Sequence, residues 1–261
     1  MSGFGTTQEI EVNKKVLVEL RNLTVPSLRN QTAAVLENVN WTIREGDFWV
    51  VLGPTGCGKT ALLITAAGLI KPLAGSCVIF GNDMGSLYGD EHLPIRKKIG
   101  FVYSNGGRLF RDLTLLENVM LPICYHEQVS FDQASGFAVQ LLELMELGKH
   151  IHFLPGHVDF SARLRTGLAR ALALRPELLF VDDVASGMDQ IQINWWISTL
   201  DKLNKGSFDS SFGPITIISG FQISELWKEI GNKFGFIGDK TFFSFSSKAE
   251  LAAFLRKYQI N

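Results

Sequence analysis

The eight residues GPTGCGKT, 53–60, constrain this chain more than any other stretch. They satisfy G-x-x-x-x-G-K-[ST] and sit between a continuous apolar run, FWVVLG, and a helix-forming one, ALLITAAGLI. A buried strand that runs through a glycine-rich loop into a helix turns backbone N–H groups toward one point, where the positive end of the helix adds its field. Gly56 and Gly58 let the backbone curl, Gly53, Pro54, Thr55 and Cys57 complete the loop, and Lys59, Thr60 and Ala61 open the helix. In such a loop Lys59 neutralises the β and γ phosphates of a nucleotide, and the Thr60 hydroxyl ligates Mg²⁺. The bland alternative, a strand–helix turn with no ligand, leaves the flanking strand and helix unexplained.

A second apolar strand, LLFVDD at 178–183, is the natural complement. Running parallel to the first, it brings Asp182 beside the metal. An acid at a strand end more commonly caps the next turn, but a matching phosphate loop favours the metal reading.

The remaining pattern places both stretches in an α/β core. Residues 16–25 and 39–43 alternate like strands, and 48–53 is a buried central strand. A helix is expected at 59–70, then strands in SCVIFG and KIGFVYS. Apolar spacing at i, i+3, i+4 marks LTLLENVMLPICYH, FAVQLLELMEL and 162–174 as helices, forming a helical insertion from about 105 to 170. PITIISG is a further strand, FGFIGDKTFFSFS a hairpin around Gly238 and Asp239, and 248–258 a last helix.

Composition excludes several classes. With 25 basic and 26 acidic residues there is no general attraction to nucleic acid or anionic lipid. The longest apolar runs are about half of the roughly 20 residues that a bilayer crossing needs. No secretory signal is recognisable at the start, and Cys57, Cys77 and Cys124 form no CxxC pair, so a reducing cytoplasm is expected.

Read in order, LENVNWTIREGDFWVVLGPTGCGKTALLITAAGLIKPLAGSCVIFGNDM, LTLLENVMLPI, ARALALRPELLFVDD and SGMD resemble the nucleotide-binding domain of an ABC transporter over nearly the whole chain. The resemblance implies a P-loop NTPase fold, with a RecA-like core, an antiparallel β subdomain and a helical insertion, as one domain over 1–261. It implies ATP and Mg²⁺ as ligands and a second nucleotide-binding domain, identical or different, paired head to tail. It also implies a separate ABC transmembrane subunit that docks around residues 104–125. The chain would then be a peripheral protein of the cytoplasmic face, membrane-associated through its partner only. SGMD, 186–189, would be the loop that crosses between the two sites.

Departures from the family pattern are equally informative. Ser104 stands where the family has a Gln after IGFVY, and Asn105 substitutes only if the loop shifts by one. VDFSA, 158–162, replaces the signature LSGGQ, so both glycines are lost and Asp159 would repel phosphate. Asp183 stands for the catalytic Glu on a side chain one methylene shorter, which costs reach to the attacking water. Gly220 aligns with the switch His, and Ser27 or Leu28 lies near the place of the adenine-stacking aromatic. These changes predict retained binding and impaired hydrolysis, with a non-hydrolysing regulatory subunit as the alternative. Arg163 and Arg165 follow the signature position and either touch phosphate or form a solvated helix face. FVYSNGGRLFRDLTLLENVMLPI is most similar to the ATPases of Mce/Mla-type lipid transporters, a short likeness that implies lipid transport. Cys57 is read as a small residue rather than a redox switch. His150, His152 and His157 are read as loop residues rather than a metal site, and Trp195, Trp196 and Trp227 as packing residues.

Overall fold

The computed structural model describes residues 14–221 and 230–258. An antiparallel sheet comes first, from β1 (Val16–Pro26), β2 (Ala34–Arg44), β4 (Ala74–Ile79) and the two-residue β5 (Asn82–Asp83), in the order β2-β1-β4-β5. The second sheet has six strands. β6 (Ile99–Val102), β7 (Leu178–Asp182), β8 (Thr216–Phe221), β3 (Phe48–Leu52) and β9 (Lys233–Gly238) are parallel, and β10 (Thr241–Phe245) pairs antiparallel at the edge beside β9.

Central strands β3 and β7 are buried at every position, as parallel strands covered on both faces must be. Their alternation splits the core in two. Phe48, Val50 and Leu52 face one cluster with Leu179 and Val181, while Trp49 and Val51 face the other with Leu178 and Phe180. The first cluster is shared with the helices of the insertion, the second with the antiparallel sheet and the helix after β3, α1 (Lys59–Ala66).

After the short α2 (Leu93–Arg96) and β6, the insertion carries α3 (Leu115–Glu127), α4 (Phe131–Leu144) and α5 (Phe160–Leu172). Their starts are written locally. Thr114 and Ser130 cap α3 and α4 in reciprocal capping boxes with Glu117 and Gln133, and the Thr114 N–H and hydroxyl hold the Glu117 carboxyl below its ordinary range. Buried Asn118 donates to the carbonyls of Phe110, Leu113 and Thr114, fastening the loop after β6 to α3. The chain then forms α6 (Gln190–Lys205) after β7 and α7 (Lys248–Lys257) after β10.

The expected helix at 59–70 ends earlier, because Gly68 at φ 67° and the Leu69 N–H bond to the Ile64 carbonyl close it in a Schellman turn. In the β9–β10 hairpin the turn residues are Asp239 and Lys240, both at positive φ, one position beyond the expected pair.

Candidate nucleotide-binding site

The loop 53–58 leaves β3 with Gly56 at φ 80° and Gly58 at φ 106°, a region that side chains rarely adopt. At Gly53 a Cβ would lie 2.7 Å from Cys57 Sγ and 2.8 Å from the Ile237 carbonyl oxygen, so the loop closes only with glycine there. Gly58 is the N-cap of α1 and offers no side-chain cap, which leaves the first-turn N–H groups to a ligand. Pro54, Thr55, Cys57 and Ala61 complete the loop and the first turn, as the motif requires.

Lys59 is 7% exposed, and its Nζ donates to the carbonyls of Gly53 (2.7 Å) and Pro54 (3.0 Å). The ammonium is thus held over the loop rather than directed to solvent. Burial raises the Cys57 thiol above its ordinary value despite the neighbouring Lys59 charge. Desolvation outweighs the Lys59 charge and the backbone hydrogen bonds, and the thiol stays protonated near neutrality, as befits a packing residue.

Asp182 is 1% exposed at the end of β7. One carboxylate oxygen accepts from Thr60 Oγ1 (2.8 Å), the other from Ser104 Oγ (3.0 Å). Burial pushes this carboxyl above the usual range, against the opposing pull of the two hydroxyls and of the Lys59 and Arg108 charges. Oxygens from α1, β7 and the loop after β6 therefore converge around a buried acid. This donor set fits Mg²⁺, a hard cation that prefers oxygen.

Thr60 and Asp182, both chosen from the sequence, are joined by a hydrogen bond. Ser104, at the position where the resemblance expects a Gln, donates directly to Asp182. Asn105, the alternative, is exposed. The signal lay in the strand pairing: β6 runs beside β7 with Val102 opposite Val181, which carries the chain after β6 past Asp182.

Asp183 adopts φ 36°, and its N–H donates to the Gly220 carbonyl (2.8 Å). Aspartate is among the few side chains that tolerate this left-handed region. Gly220 lies inside β8, opposite Val51 and Asp182. A Cβ there would lie 2.9 Å from Leu63 Cδ1 of α1, so a side chain at 220 would displace the end of Leu63. The residues that follow β8, from 222 to 229, lie outside those described, as does Trp227.

At 158–162, Asp159 caps α5 by accepting from the Ala162 N–H (2.7 Å), and Phe160 is exposed. Neither arginine beyond it belongs to a merely solvated face. Arg165 pairs with Glu146 (2.7 Å) and stacks on Trp195 at 4.1 Å, and Arg163 donates to the Val158 carbonyl (2.7 Å). Trp196 is fully buried. No group of three or more potential metal-ligating side chains occurs among the described residues, so His150, His152 and His157 form no such cluster. Leu28, near the expected adenine position, is exposed. Between the loop after β6 and α3 a cavity of about 550 Å³ is lined by Phe101, Tyr103, Phe110, Leu121, Pro122 and Tyr125.

A glycine loop between a buried strand and a helix, with a lysine over it and a strand-end acid across from its Thr, defines a P-loop nucleotide-binding cassette. The chain belongs to the ABC transporter family, whose model matches residues 36–186. Among curated proteins it is similar to the intermembrane phospholipid transport system ATP-binding protein MlaF of Haemophilus influenzae, 29% identical over 72% of this chain and 70% of that protein. It is also similar to the probable ribonucleotide transport ATP-binding protein mkl of Mycobacterium tuberculosis, 33% identical over 59% of this chain but only 43% of that protein. Among solved structures, the dimeric ATP-binding cassette MJ0796 bound to ADP and Pi aligns with a TM-score of 0.78 and 27% identity, covering 88% of this chain and 98% of that one. The structure of cbiO1 from Clostridium perfringens, part of the ABC transporter complex cbiONQ, at 17% identity and a TM-score of 0.75, shares the fold. Cassettes of this family bind ATP, dimerise and work with transmembrane subunits. Among the described residues no helix is long and apolar enough to cross a membrane.

Proposed function

We propose that this chain is a single nucleotide-binding domain over 1–261, with the helical subdomain at about 105–170. It binds Mg-ATP through Gly53 to Ala61, with Thr60, Asp182 and Ser104 around the metal, and hydrolyses it slowly. The carrying observation is the convergence of the Thr60 and Ser104 hydroxyls on buried Asp182, beside a lysine held over the phosphate loop. Mg²⁺ supplies charge neutralisation at the phosphates. Lys59 and the first-turn N–H groups of α1 orient the phosphates, and Asp183 is the candidate base for the attacking water.

Nucleotide-dependent pairing with a second nucleotide-binding domain would drive a separate transmembrane subunit seated in the aromatic-lined cavity beside α3. The protein would be peripheral, on the cytoplasmic face. The similarity to MlaF supports phospholipids as the cargo class.

A second reading is a pseudo-ATPase that binds without turnover and regulates a membrane complex. It is favoured by the shorter Asp183 and by Asp159 and Phe160 at the signature position. Steady-state hydrolysis and ATP binding by the purified chain, alone and with its co-purifying membrane partner, separate the two. Turnover lost in Lys59→Ala supports the first reading; binding without turnover in either assembly supports the second; absence of binding would overturn both.

A further inference from the structure

We propose that the cavity between the loop after β6 and the loop preceding α5 is a second, separate anion site that takes a phosphate-bearing group. The cavity, about 570 Å³, is lined by Arg108, Arg111, His157 and Arg163, and no carboxylate lines it. In a chain with net charge −1 this one-sided lining is a local feature. None of the five ion pairs found among the described residues involves any of the four.

Two of the guanidiniums are oriented by groups that carry no formal charge. Arg163 donates to the carbonyls of Val158 (2.7 Å) and Pro155 (3.4 Å), which orient it but carry no formal charge. Arg108 lies 4.1 Å over the Tyr103 ring, and a stacked guanidinium keeps its N–H edge for an acceptor. Arg111 is exposed at the rim.

The walls are fixed to one another. Gly107, at φ 74°, packs so tightly on α5 that a Cβ would lie 3.0 Å from the Arg163 carbonyl oxygen and from Gly167 Cα. Arg170 donates to the carbonyls of Gly107 and Arg108 from the same helix. Two guanidinium forks held at set positions, with a third at the rim, suit the multiple oxygens of a phosphate better than a lone carboxylate. Two sources offer that chemistry: a free phosphate compound and the phosphate headgroup of a lipid.

The test uses the full chain carrying Lys59→Ala, which disables the P-loop, titrated with pyrophosphate in an isothermal calorimeter. We expect saturable binding that persists in this variant and weakens about tenfold or more when Arg111→Glu is added. Arg111 is a rim residue, and unchanged thermal melting would confirm that its replacement leaves the fold intact. Absence of saturable binding in Lys59→Ala, or binding indifferent to Arg111→Glu, overturns the proposal. Where binding is found, vesicle sedimentation assigns its source in chains with an intact P-loop. Arg111-dependent sedimentation with phosphatidic acid vesicles, but not phosphatidylcholine ones, points to a lipid phosphate. No such sedimentation assigns the pocket to free phosphate.

Discussion

The starts of α1 and α5 are the same kind of structure put to opposite ends. Gly58 leaves α1 without a side-chain cap, and the loop before it curls so that its donors and Lys59 face one point. Asp159 caps α5 with its own carboxylate, taking up the Ala162 N–H and placing a negative charge where the family's signature offers glycine amides. A helix start can bind an anion or be capped by one of its own side chains, but one set of donors does not serve both. Under the proposed function, the comparison teaches that this chain keeps the half-site that holds a nucleotide and has closed the half-site that would complete a partner's.

If that division is right, the largest effect belongs to Lys59. Lys59→Ala removes a charge from the retained half-site, and hydrogen bonds to charged groups contribute about 1.5–3 kcal/mol each. ATP affinity, measured by calorimetry, should fall by about 100-fold or more with two such bonds lost. A loss below threefold would mean that the nucleotide sits elsewhere and that the comparison fails at its strong end.

Turnover gives the next largest effect. Asp183→Glu restores the missing methylene, and a base that reaches its water contributes about 10²–10⁴-fold. A rise of about tenfold in steady-state hydrolysis is expected, with the rest of the gain withheld by the capped α5 of the opposing copy. No rise, with binding intact, would place the defect wholly at 158–162. The backbone of 183 sits at φ 36°, where Glu is less at ease than Asp, so the gain is bounded from this side also.

How far the sequence could anticipate this depends on how local each feature is. The phosphate loop was legible because strand, loop and helix start are contiguous, and glycine is demanded at 53, 56 and 58 by backbone angles and close contacts. Asp182 was legible because a strand that ends in acid is also local. Ser104 was not, since its role follows from β6 lying beside β7, a pairing between residues almost eighty positions apart. β2 begins at Ala34, five residues ahead of the run read from alternation, because Asn38 at φ 53° interrupts the two-residue period while pairing with β1 continues on both sides. Arg163 and Arg165 looked like a solvated face because their acceptors, Val158 and Glu146, belong to other segments or to backbone.

Asp182 separates the cost of building the metal site from its use. Its carboxyl is raised in the folded state by burial, so the protonated form's stability is fully present below the unfolded value of about 3.9 and is lost as pH rises through the folded one. At pH 7 without Mg²⁺ the ionised acid therefore costs stability. Asp182→Asn keeps acceptor and donor positions for Thr60 and Ser104, and should melt higher than the unsubstituted chain at pH 7. The gap should shrink as pH falls toward the ordinary carboxylate range, and Mg²⁺ should no longer strengthen ATP binding in the variant. A lower melting point at pH 7 would show that the ionised carboxylate is already well compensated by the protein alone.

The smallest effect tests the closed half-site itself. Asp159→Ser keeps an oxygen in the N-cap position, and Ser and Asp are near-equivalent caps, so stability should change by less than about 0.5 kcal/mol; Asp159→Ala, which has no cap, should lose about 1 kcal/mol. Removing the carboxylate also lifts repulsion from the start of α5. An exposed charge at a helix terminus is worth about 0.3–1 kcal/mol, so ATP-dependent association of two copies should tighten about two- to fivefold in Asp159→Ser, read by light scattering across a concentration series. Tightening in Asp159→Ser with the cap retained would assign the closure of this half-site to charge. Unchanged association in both variants would mean that phosphate never approaches α5, and that any pairing of copies is held by other surfaces.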